Sequence, residues 1–211
     1  SYIDILRKYM RAVTQRNRLI KELRYDSTIG IMLDVFEEEI AAEGKKLIDY
    51  RKRYIDKLNK FLPQVYSGIS CGKEELETSY VSAIEGDELL NALFDARKED
   101  MYSGVTSVGP HRDDIEFKIN GISARSFGSQ GQKRSVALSV KLAEAEVIRE
   151  NVGECPVFLL DDIMSELDPN RQNFILNHIK GMQTFLTCCD PSNVKNLKAG
   201  KIFTVKEGKI L

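Results

Sequence analysis

The chain has 211 residues, of which 42% are apolar, enough for one good-sized domain or two small ones with a packed core. Its 31 basic and 32 acidic residues leave a formal net charge of -1, which excludes a global basic field that would attract nucleic acid or a membrane surface. Any contact with a polyanion must therefore use a local patch.

The cysteines and the amino-terminal residues indicate the cellular compartment that the sequence favours. Cys71, Cys155, Cys188 and Cys189 show neither a CxxC spacing nor paired histidines, so the sequence indicates neither a zinc site nor a disulfide framework. We expect no signal peptide from the first residues, and no apolar run approaches about 18 residues. We expect a soluble protein of the reducing cytoplasm, without a membrane partner.

Residues 2–62 predict an all-helical arm. Their apolar residues recur at helical spacing in three runs, 5–23, 29–40 and 47–62, which we interpret as three helices. Dense basic residues lie between the apolar positions of the first and third runs. Runs of this kind usually form the solvated face of a helix, and a local polyanion patch is the alternative.

After Pro63 the pattern changes. The stretch LETSYVS predicts a short strand, and Asp87 is expected to cap a helix that ends near Glu99. We therefore predict a mainly α-helical arm domain over residues 1–100 and a second domain over residues 101–211.

The second domain alternates strands and helices. We predict a strand over 115–119, a tight turn at Asn120-Gly121, a helix over 132–151 and a terminal hairpin around Glu207-Gly208. A buried strand over 157–161, a helix over 169–180 and an apolar strand over 184–188 complete the pattern. The apolar stripe of the helix over 132–151 is expected to comprise Val136, Ala137, Val140, Ala143 and Val147. A strand, helix, strand order indicates a parallel sheet, so the fold class is α/β.

Two adjacent carboxylates, Asp161 and Asp162, end the strand over 157–161, at the edge where open α/β sheets bind ligands. Adjacent side chains of a strand point to opposite faces, so the two acids are expected to have different roles. We assign Asp161 to Mg²⁺ and Asp162 to an attacking water, as base or positioner. The alternative is that both merely end the strand and cap the next turn.

Two flanking stretches favour the functional interpretation. Ser165 to Asp168, in the stretch SELDP, forms the loop pattern that follows the Walker B strand in ABC-type ATPases, although Asp168 before Pro169 is also an ordinary helix cap. Upstream, Ser129, Gln130, Gly131 and Gln132 stand where the signature motif of those ATPases belongs. There a serine hydroxyl and the N–H groups of a helix amino terminus face a γ-phosphate, and a glycine permits close approach.

The chain resembles the RecF family of bacterial DNA-repair ATPases along essentially its whole length. The resemblance is carried by SQGQKR, by GPHRDD at Gly109 to Asp114, by LLDDIMSELD, and by a helical arm with an Arg16-Asn17 pair. It implies the second half of an ABC-type ATPase head, a parallel sheet with helices and hairpins, joined to a separate arm.

The chain departs from that family in two places. None of its four Gly-Lys pairs has a glycine five positions earlier or a following Ser or Thr, so the Walker A motif is absent. The histidine expected after the strand over 184–189 is also missing, and Asp190 is the nearest polar candidate. We interpret the sequence as a carboxyl-terminal fragment.

The resemblance implies a function for the full-length protein. It would bind ATP and Mg²⁺ between two heads of a homodimer, bind double-stranded DNA when ATP is bound, and hydrolyse ATP slowly. With RecR and RecO it would help RecA load at gapped DNA. Ser129, Gln130, Gly131, Gln132, Ser165 and Asp168 would contact nucleotide, whereas this fragment alone is expected to be inactive.

Several alternatives remain open at this point. The chain could be the nucleotide-binding subunit of a transporter, although the LSGGQ motif and the histidine are missing. It could also be a non-catalytic interaction module, or a chromosome-organising ATPase, although the arm lacks sustained heptads. The GPHRDD stretch is either a loop in which Arg112 pairs with Asp113 or Asp114, or a surface facing nucleotide or DNA.

Overall fold

The structure, a computed structural model, describes residues 1–23, 30–190 and 200–210, without the side chains of Leu23 and Glu166. The chain divides into two compact units, which are described separately. The first contains Ser1–Lys60 and Glu77–Phe127, and the second contains Phe61–Leu76 and Gly128–Leu211. Residue 29, where the second predicted run starts, lies outside the described residues.

Three helices form most of the first unit: α1 (Tyr2–Leu23), α2 (Gly30–Asn59) and α4 (Leu89–Ser103). Their apolar residues line one face of each helix and meet in a buried cluster. The fully buried members of this cluster include Tyr9, Ile40, Leu47, Leu89 and Leu93. Of these five residues, Tyr9, Ile40 and Leu47 belong to the predicted apolar runs.

The prediction of two separate helices between residues 29 and 62 is wrong, because α2 is one helix of 30 residues. The residues that join the two runs, Ala41 to Lys46, are mostly strong helix formers, and only Gly44 interrupts them. Gly44 is buried where the helices pack closely: a Cβ there would lie 2.5 Å from Leu89 Cδ2. The glycine therefore serves helix packing and does not end the helix.

The prediction that Asp87 caps the helix α4 is also wrong. Residues Gly86–Glu88 form one 3₁₀ turn before α4, and the residue at the N-cap of α4 is Glu88, whose side chain makes no capping hydrogen bond. Asp87 instead forms an ion pair with Lys45 of α2. The helix ends at Ser103, where Gly104 adopts a left-handed φ of 76°.

A polar network lies fully buried inside the first unit. The Arg16 guanidinium donates to Glu37 Oε1 at 3.0 Å, to Asp100 Oδ2 at 2.6 Å, to Thr106 Oγ1 at 3.0 Å and to the Leu93 carbonyl at 3.1 Å. The side chains of Arg16, Glu37 and Asp100 have no solvent exposure. Because each charge has an opposite partner, the desolvation of these groups is compensated.

A three-stranded sheet completes the first unit, with β1 (Leu76–Val81), β2 (Asp114–Ile119) and β3 (Ile122–Ser123) in that order. The predicted strand LETSYVS is confirmed as β1. Asn120 and Gly121 join β2 to β3 with φ angles of 50° and 77°, so both residues adopt the left-handed conformation that such a two-residue turn requires. A single turn of helix, α5 (Ala124–Phe127), follows.

The second unit packs three helices against a parallel strand pair. The helices are α3 (Leu62–Ile69), α6 (Gln130–Val152) and α7 (Pro169–His178), and the strands are β4 (Phe158–Leu160) and β5 (Thr184–Leu186). Phe158 pairs with Thr184 and Leu160 with Leu186 in a parallel register. The terminal hairpin consists of β6 (Val205–Lys206) and β7 (Lys209–Ile210).

Two predictions about burial in this unit need correction. The strand before the aspartates is only half buried: Phe158 and Leu160 are buried, whereas Val157 and Leu159 are 52% and 75% exposed. In α6, Ala137 is exposed and Val140 is partly exposed, and the residues that contact the core include Leu138, Leu142 and Ala145. One face of β4 and a side of α6 line an open, apolar cavity of about 580 Å³.

The predicted fold class is confirmed: helices pack on a parallel strand pair, hairpins are present, and a mainly helical part is separate. The two compact units do not divide at the predicted boundary after residue 100. Residues 61–76 belong to the second unit, and residues 101–127 belong to the first. The division into an arm over 1–100 and a head half over 101–211 stays a prediction. Among the described residues, no helix is both long and apolar enough to cross a membrane.

Candidate functional site

The two aspartates of the candidate site lie directly after β4, where a threonine from the neighbouring strand organises them. Thr187 Oγ1 donates to Asp161 Oδ1 at 2.5 Å and accepts from the Asp162 N–H at 3.0 Å. The Thr187 N–H donates to the Leu160 carbonyl at 3.0 Å, which continues the parallel pairing past the strand end. The parallel register of β4 and β5 therefore places this hydroxyl beside both acids.

The strand-based reason for expecting the two aspartates to point in opposite directions does not hold. β4 ends at Leu160, so neither Asp161 nor Asp162 is a strand residue. Asp162 has a φ of 47° and a ψ of 24°, a left-handed conformation that is uncommon for a residue with a Cβ. Ser165 Oγ donates to the Asp162 carbonyl at 2.8 Å within the 3₁₀ turn Ile163–Glu166. Ser165 thus stabilises the turn that presents Asp162, and both acids are exposed.

This donor set fits a magnesium ion that is shared with phosphate. Within the described ranges, no group of three or more His, Cys, Asp or Glu residues could hold a metal. Mg²⁺ in nucleotide sites takes one or two protein carboxylates, with phosphate oxygens and waters as the other ligands. Asp161, with its carboxylate oriented by Thr187, can supply such a ligand.

The Ser129 turn is a complete capping box at the start of α6. Ser129 Oγ accepts from the Gln132 N–H at 3.2 Å, and Gln132 Oε1 accepts from the Ser129 N–H at 2.8 Å. The helix begins at Gln130, two residues before the predicted start. The exposed Ser129 hydroxyl accepts one bond and retains its proton for donation, and the helix end carries a partial positive charge. The geometry of this turn suits an anion.

Asp168 caps α7 and has a neighbour at the Ser129 turn. Its Oδ1 accepts from the N–H groups of Asn170 and Arg171 at 3.0 and 3.1 Å. This is the ordinary helix cap that an aspartate before a proline predicts. Its Oδ2 lies 3.4 Å from Arg171 Nε, and Arg171 Nη1 lies 3.4 Å from where a Cβ on Gly131 would be. Arg171 therefore links the Asp168 cap to the Ser129 turn.

The structure places all eight predicted site residues in the second unit. It connects Asp161 to Asp162 through Thr187, and Asp168 to Gly131 through Arg171. Their assigned roles stay predictions. Sequence reasoning missed Thr187, Arg171 and Glu74, the last of which accepts from Gln132 Nε2 at 2.8 Å. Thr187 alone had a signal, a hydroxyl residue at the end of the strand that neighbours the aspartates.

The GPHRDD stretch belongs to the first unit, where its polar residues are engaged in local packing. His111 Nε2 donates to the Thr106 carbonyl at 3.0 Å, which leaves Nδ1 to accept from the Tyr9 hydroxyl at 2.5 Å. Burial lowers the pKa of His111. Asp113 accepts from Ser82 at 3.0 Å and from Tyr80, whereas Asp114 pairs with Arg125, which lowers the pKa of Asp114.

Comparison with known proteins gives one consistent result. No family model matches the chain. It is 38% identical over 211 residues to the DNA replication and repair protein RecF of Agathobacter rectalis, and 41% identical over 216 residues to that of Clostridium acetobutylicum. Each alignment covers 99% of this chain but only 58% and 59% of the respective relative. The chain thus spans little more than half the length of these relatives.

Solved structures agree with the sequence relatives. A structure of the recombination mediator protein RecF with ATP in the RecFOR pathway matches with a TM-score of 0.86 at 35% identity, covering 99% of this chain and 57% of that one. A second RecF structure, named with ATPrS, matches with a TM-score of 0.84 at 34% identity. Over 99% of its length, the chain is therefore homologous to RecF.

Proposed function

We propose that this chain is the carboxyl-terminal part of a RecF-type DNA replication and repair protein, comprising its arm and the second half of its ATPase head. The homology over 99% of the chain and over 58% of the Agathobacter rectalis relative supports this proposal. The absence of a Gly-rich lysine loop from the sequence agrees with it. The rest of the nucleotide site would then belong to the remaining part of the protein.

The complete protein would act as a recombination mediator in the cytoplasm. It would bind ATP between two heads, bind double-stranded DNA as the ATP-bound dimer, and hydrolyse ATP slowly. RecR and RecO are its proposed partners at gapped DNA, where it would help RecA to load. The names of the relatives and of the solved structures, which include DNA repair, ATP and the RecFOR pathway, favour this function over a transporter subunit.

The observation that carries the proposal is the pair of carboxylates and the hydroxyl at the ends of adjacent parallel strands. A sheet edge of this kind is where α/β proteins bind ligands. Asp161 would hold Mg²⁺ and Asp162 would position water, while Ser129 to Gln132 would meet the γ-phosphate of the partner head. Ser165 and Asp168 would shape the loop beside that phosphate. The bound Mg²⁺-ATP would supply the phosphoryl group that is hydrolysed.

The experiment that tests this function uses Ser129→Arg in the full-length protein. The long side chain would occupy the surface on which the second head closes, so ATP-analogue-dependent dimerisation and duplex DNA binding should both fall. Nucleotide affinity of the monomer should stay near that of the wild type. Sedimentation, duplex binding and nucleotide titration measure the three quantities.

Ser126→Arg is the matched control, because it adds the same charge at another exposed serine of the same stretch. Electrostatics alone would strengthen DNA binding in both variants, since an added positive charge favours phosphate contact. Normal dimerisation of Ser129→Arg would overturn the placement of this turn at a dimer interface. It would also remove most of the case for an ATP-clamped head.

A further inference from the structure

Glu74 lies outside every motif of the candidate site, yet its carboxylate contacts two elements of the second unit. One oxygen, Oε2, accepts from the Tyr66 hydroxyl of α3 at 2.7 Å. The other, Oε1, accepts from Gln132 Nε2 at 2.8 Å. Glu74 therefore connects α3 to the capping box that opens α6.

The carboxylate determines which way the Gln132 amide points. A carboxylate can only accept hydrogen bonds, so it requires the NH₂ end of the amide to face it. The amide oxygen then faces the Ser129 N–H, and this is the bond that completes the capping box. If the amide were flipped, two N–H donors would face each other at Ser129. Glu74 thus selects the amide orientation that the turn requires.

The other end of this connection is fixed to the core. The Tyr66 side chain is fully buried, and its neighbours Val65 and Ile69 on α3 belong to the buried cluster of the second unit. Burial, and then the hydrogen bond to Glu74, raises the pKa of Tyr66, so its hydroxyl keeps its proton and remains a donor. Glu74 is consequently held in place by a rigid neighbour.

We infer that Glu74 is a positioning residue for the Ser129–Gln132 turn, which it holds in one conformation for a partner head and its nucleotide. This inference rests on the proposed function for its consequence, the dimer, but its first consequence is local. Without Glu74, the Gln132 amide rotates freely, the Ser129 N–H loses its acceptor for part of the time, and the turn has more than one shape.

The first test compares Glu74→Ala with Glu74→Gln in the full-length protein. Hydrogen exchange of the segment 126–134 in the monomer should be faster in Glu74→Ala. It should return to the wild-type rate in Glu74→Gln, whose amide oxygen can accept from Gln132 while its NH₂ donates to the Tyr66 oxygen. ATP-analogue-dependent dimerisation should weaken about tenfold in Glu74→Ala only, the effect of one hydrogen bond to a charged group. Glu77→Ala, at an exposed carboxylate, is the charge-matched control.

A polarity swap separates positioning from a general charge effect. Gln132→Glu keeps the capping box, since glutamate is also favoured at this position, but it sets two carboxylates against each other. Exchange and dimerisation should both be impaired in Gln132→Glu. Adding Glu74→Gln should restore them, because the new amide donates to the new carboxylate. If the new carboxylate at position 132 acted only by repelling nucleotide, it would still do so in the double variant, and dimerisation would stay impaired.

The outcomes distinguish a failure of the positioning role of Glu74 from a failure of the proposed function. Unchanged exchange in Glu74→Ala, or failure of the swap to restore it, overturns the positioning role whether or not the protein dimerises. A wild-type protein that does not dimerise with the ATP analogue overturns the proposed function, while exchange still decides the role of Glu74. Monomer affinity for ATP should be the same in Glu74→Ala, Glu74→Gln and Glu77→Ala, and a general loss of folding would change it.

Discussion

At the scale of single residues, one hydroxyl group organises the acidic end of β4. Thr187 contacts the side chain of Asp161 but only the backbone of Asp162. The Asp161 carboxylate is therefore oriented, whereas that of Asp162 extends from a left-handed residue into solvent. This difference gives the proposed division of roles a structural basis without relying on strand periodicity.

That division predicts different defects for two isosteric substitutions in the full-length protein. Asp162→Asn should slow ATP hydrolysis about 100-fold, because a general base contributes at least about that factor, and it should spare ATP-dependent dimerisation. Asp161→Asn should weaken Mg²⁺-ATP binding itself. Single-turnover hydrolysis and nucleotide titration measure the two effects. Equal loss of ATP binding in both variants would contradict the division.

His111 predicts a dependence of stability on pH in the first unit. Its pKa in the folded state is lowered by burial, so between the ordinary value of about 6.5 and the folded value only the unfolded chain is protonated. The free energy of unfolding should therefore decrease as the pH falls below about 6.5. Denaturant titrations from about pH 7 to pH 5 should show a flatter profile for His111→Gln. His178 is present in both proteins and cancels in the difference.

The residues of the candidate site differ in how visible they are in sequence. Asp161, Asp162 and Ser129 belong to contiguous motifs whose order along the chain indicates their chemistry. Thr187 and Glu74 act through hydrogen bonds to elements that are 26 and 58 residues away in sequence. Such contacts depend on strand register and helix packing, which a single sequence does not specify.

At the scale of elements, the contact between α3 and α7 depends on a glycine. A Cβ built on Gly68 would lie 2.0 Å from Phe174 Cε2, so Gly68→Ala forces the ring or the helix to move. We expect the free energy of unfolding to fall by about 1–3 kcal/mol, the usual cost of overpacking. Chemical denaturation of the full-length protein measures it.

Two further variants test the cause of that loss. Phe174→Leu in the Gly68→Ala background shortens the side chain that meets the new methyl group, and it should recover part of the lost stability. Gly30→Ala is the control, since a Cβ there has nothing within 4 Å and alanine favours the helix. A Gly68→Ala protein as stable as the wild type would show that the packing is looser than described.

Element types were more predictable than their ends and faces. Long amphipathic runs such as α1 and turns such as Asn120-Gly121 have strong local signals, and both are present as expected. The joining of two runs into α2 depends on close packing at Gly44, which is a tertiary effect. The exposed side of β4 could not be predicted either, because a short apolar strand has the same pattern when one face or both are covered.

At the scale of the whole molecule, the proposed nucleotide site would be incomplete in this chain. Asp161, Asp162 and Ser129 could contact metal, water and γ-phosphate, but the sequence contains no loop for the α- and β-phosphates. The isolated chain should therefore show neither measurable ATP binding nor hydrolysis. Calorimetry of the purified chain checks this, and micromolar ATP affinity would contradict it.

The buried network around Arg16 has a consequence for the evolution of this chain. Glu37 also pairs with Arg97, whereas the buried Asp100 carboxylate pairs with Arg16, so replacing Arg16 leaves the Asp100 charge buried without its cation, which costs several kcal/mol. Replacing both residues of this pair by apolar residues of similar volume costs far less. Arg16 and Asp100 should therefore vary together among homologues or not at all, which makes them a two-column signature of the first unit.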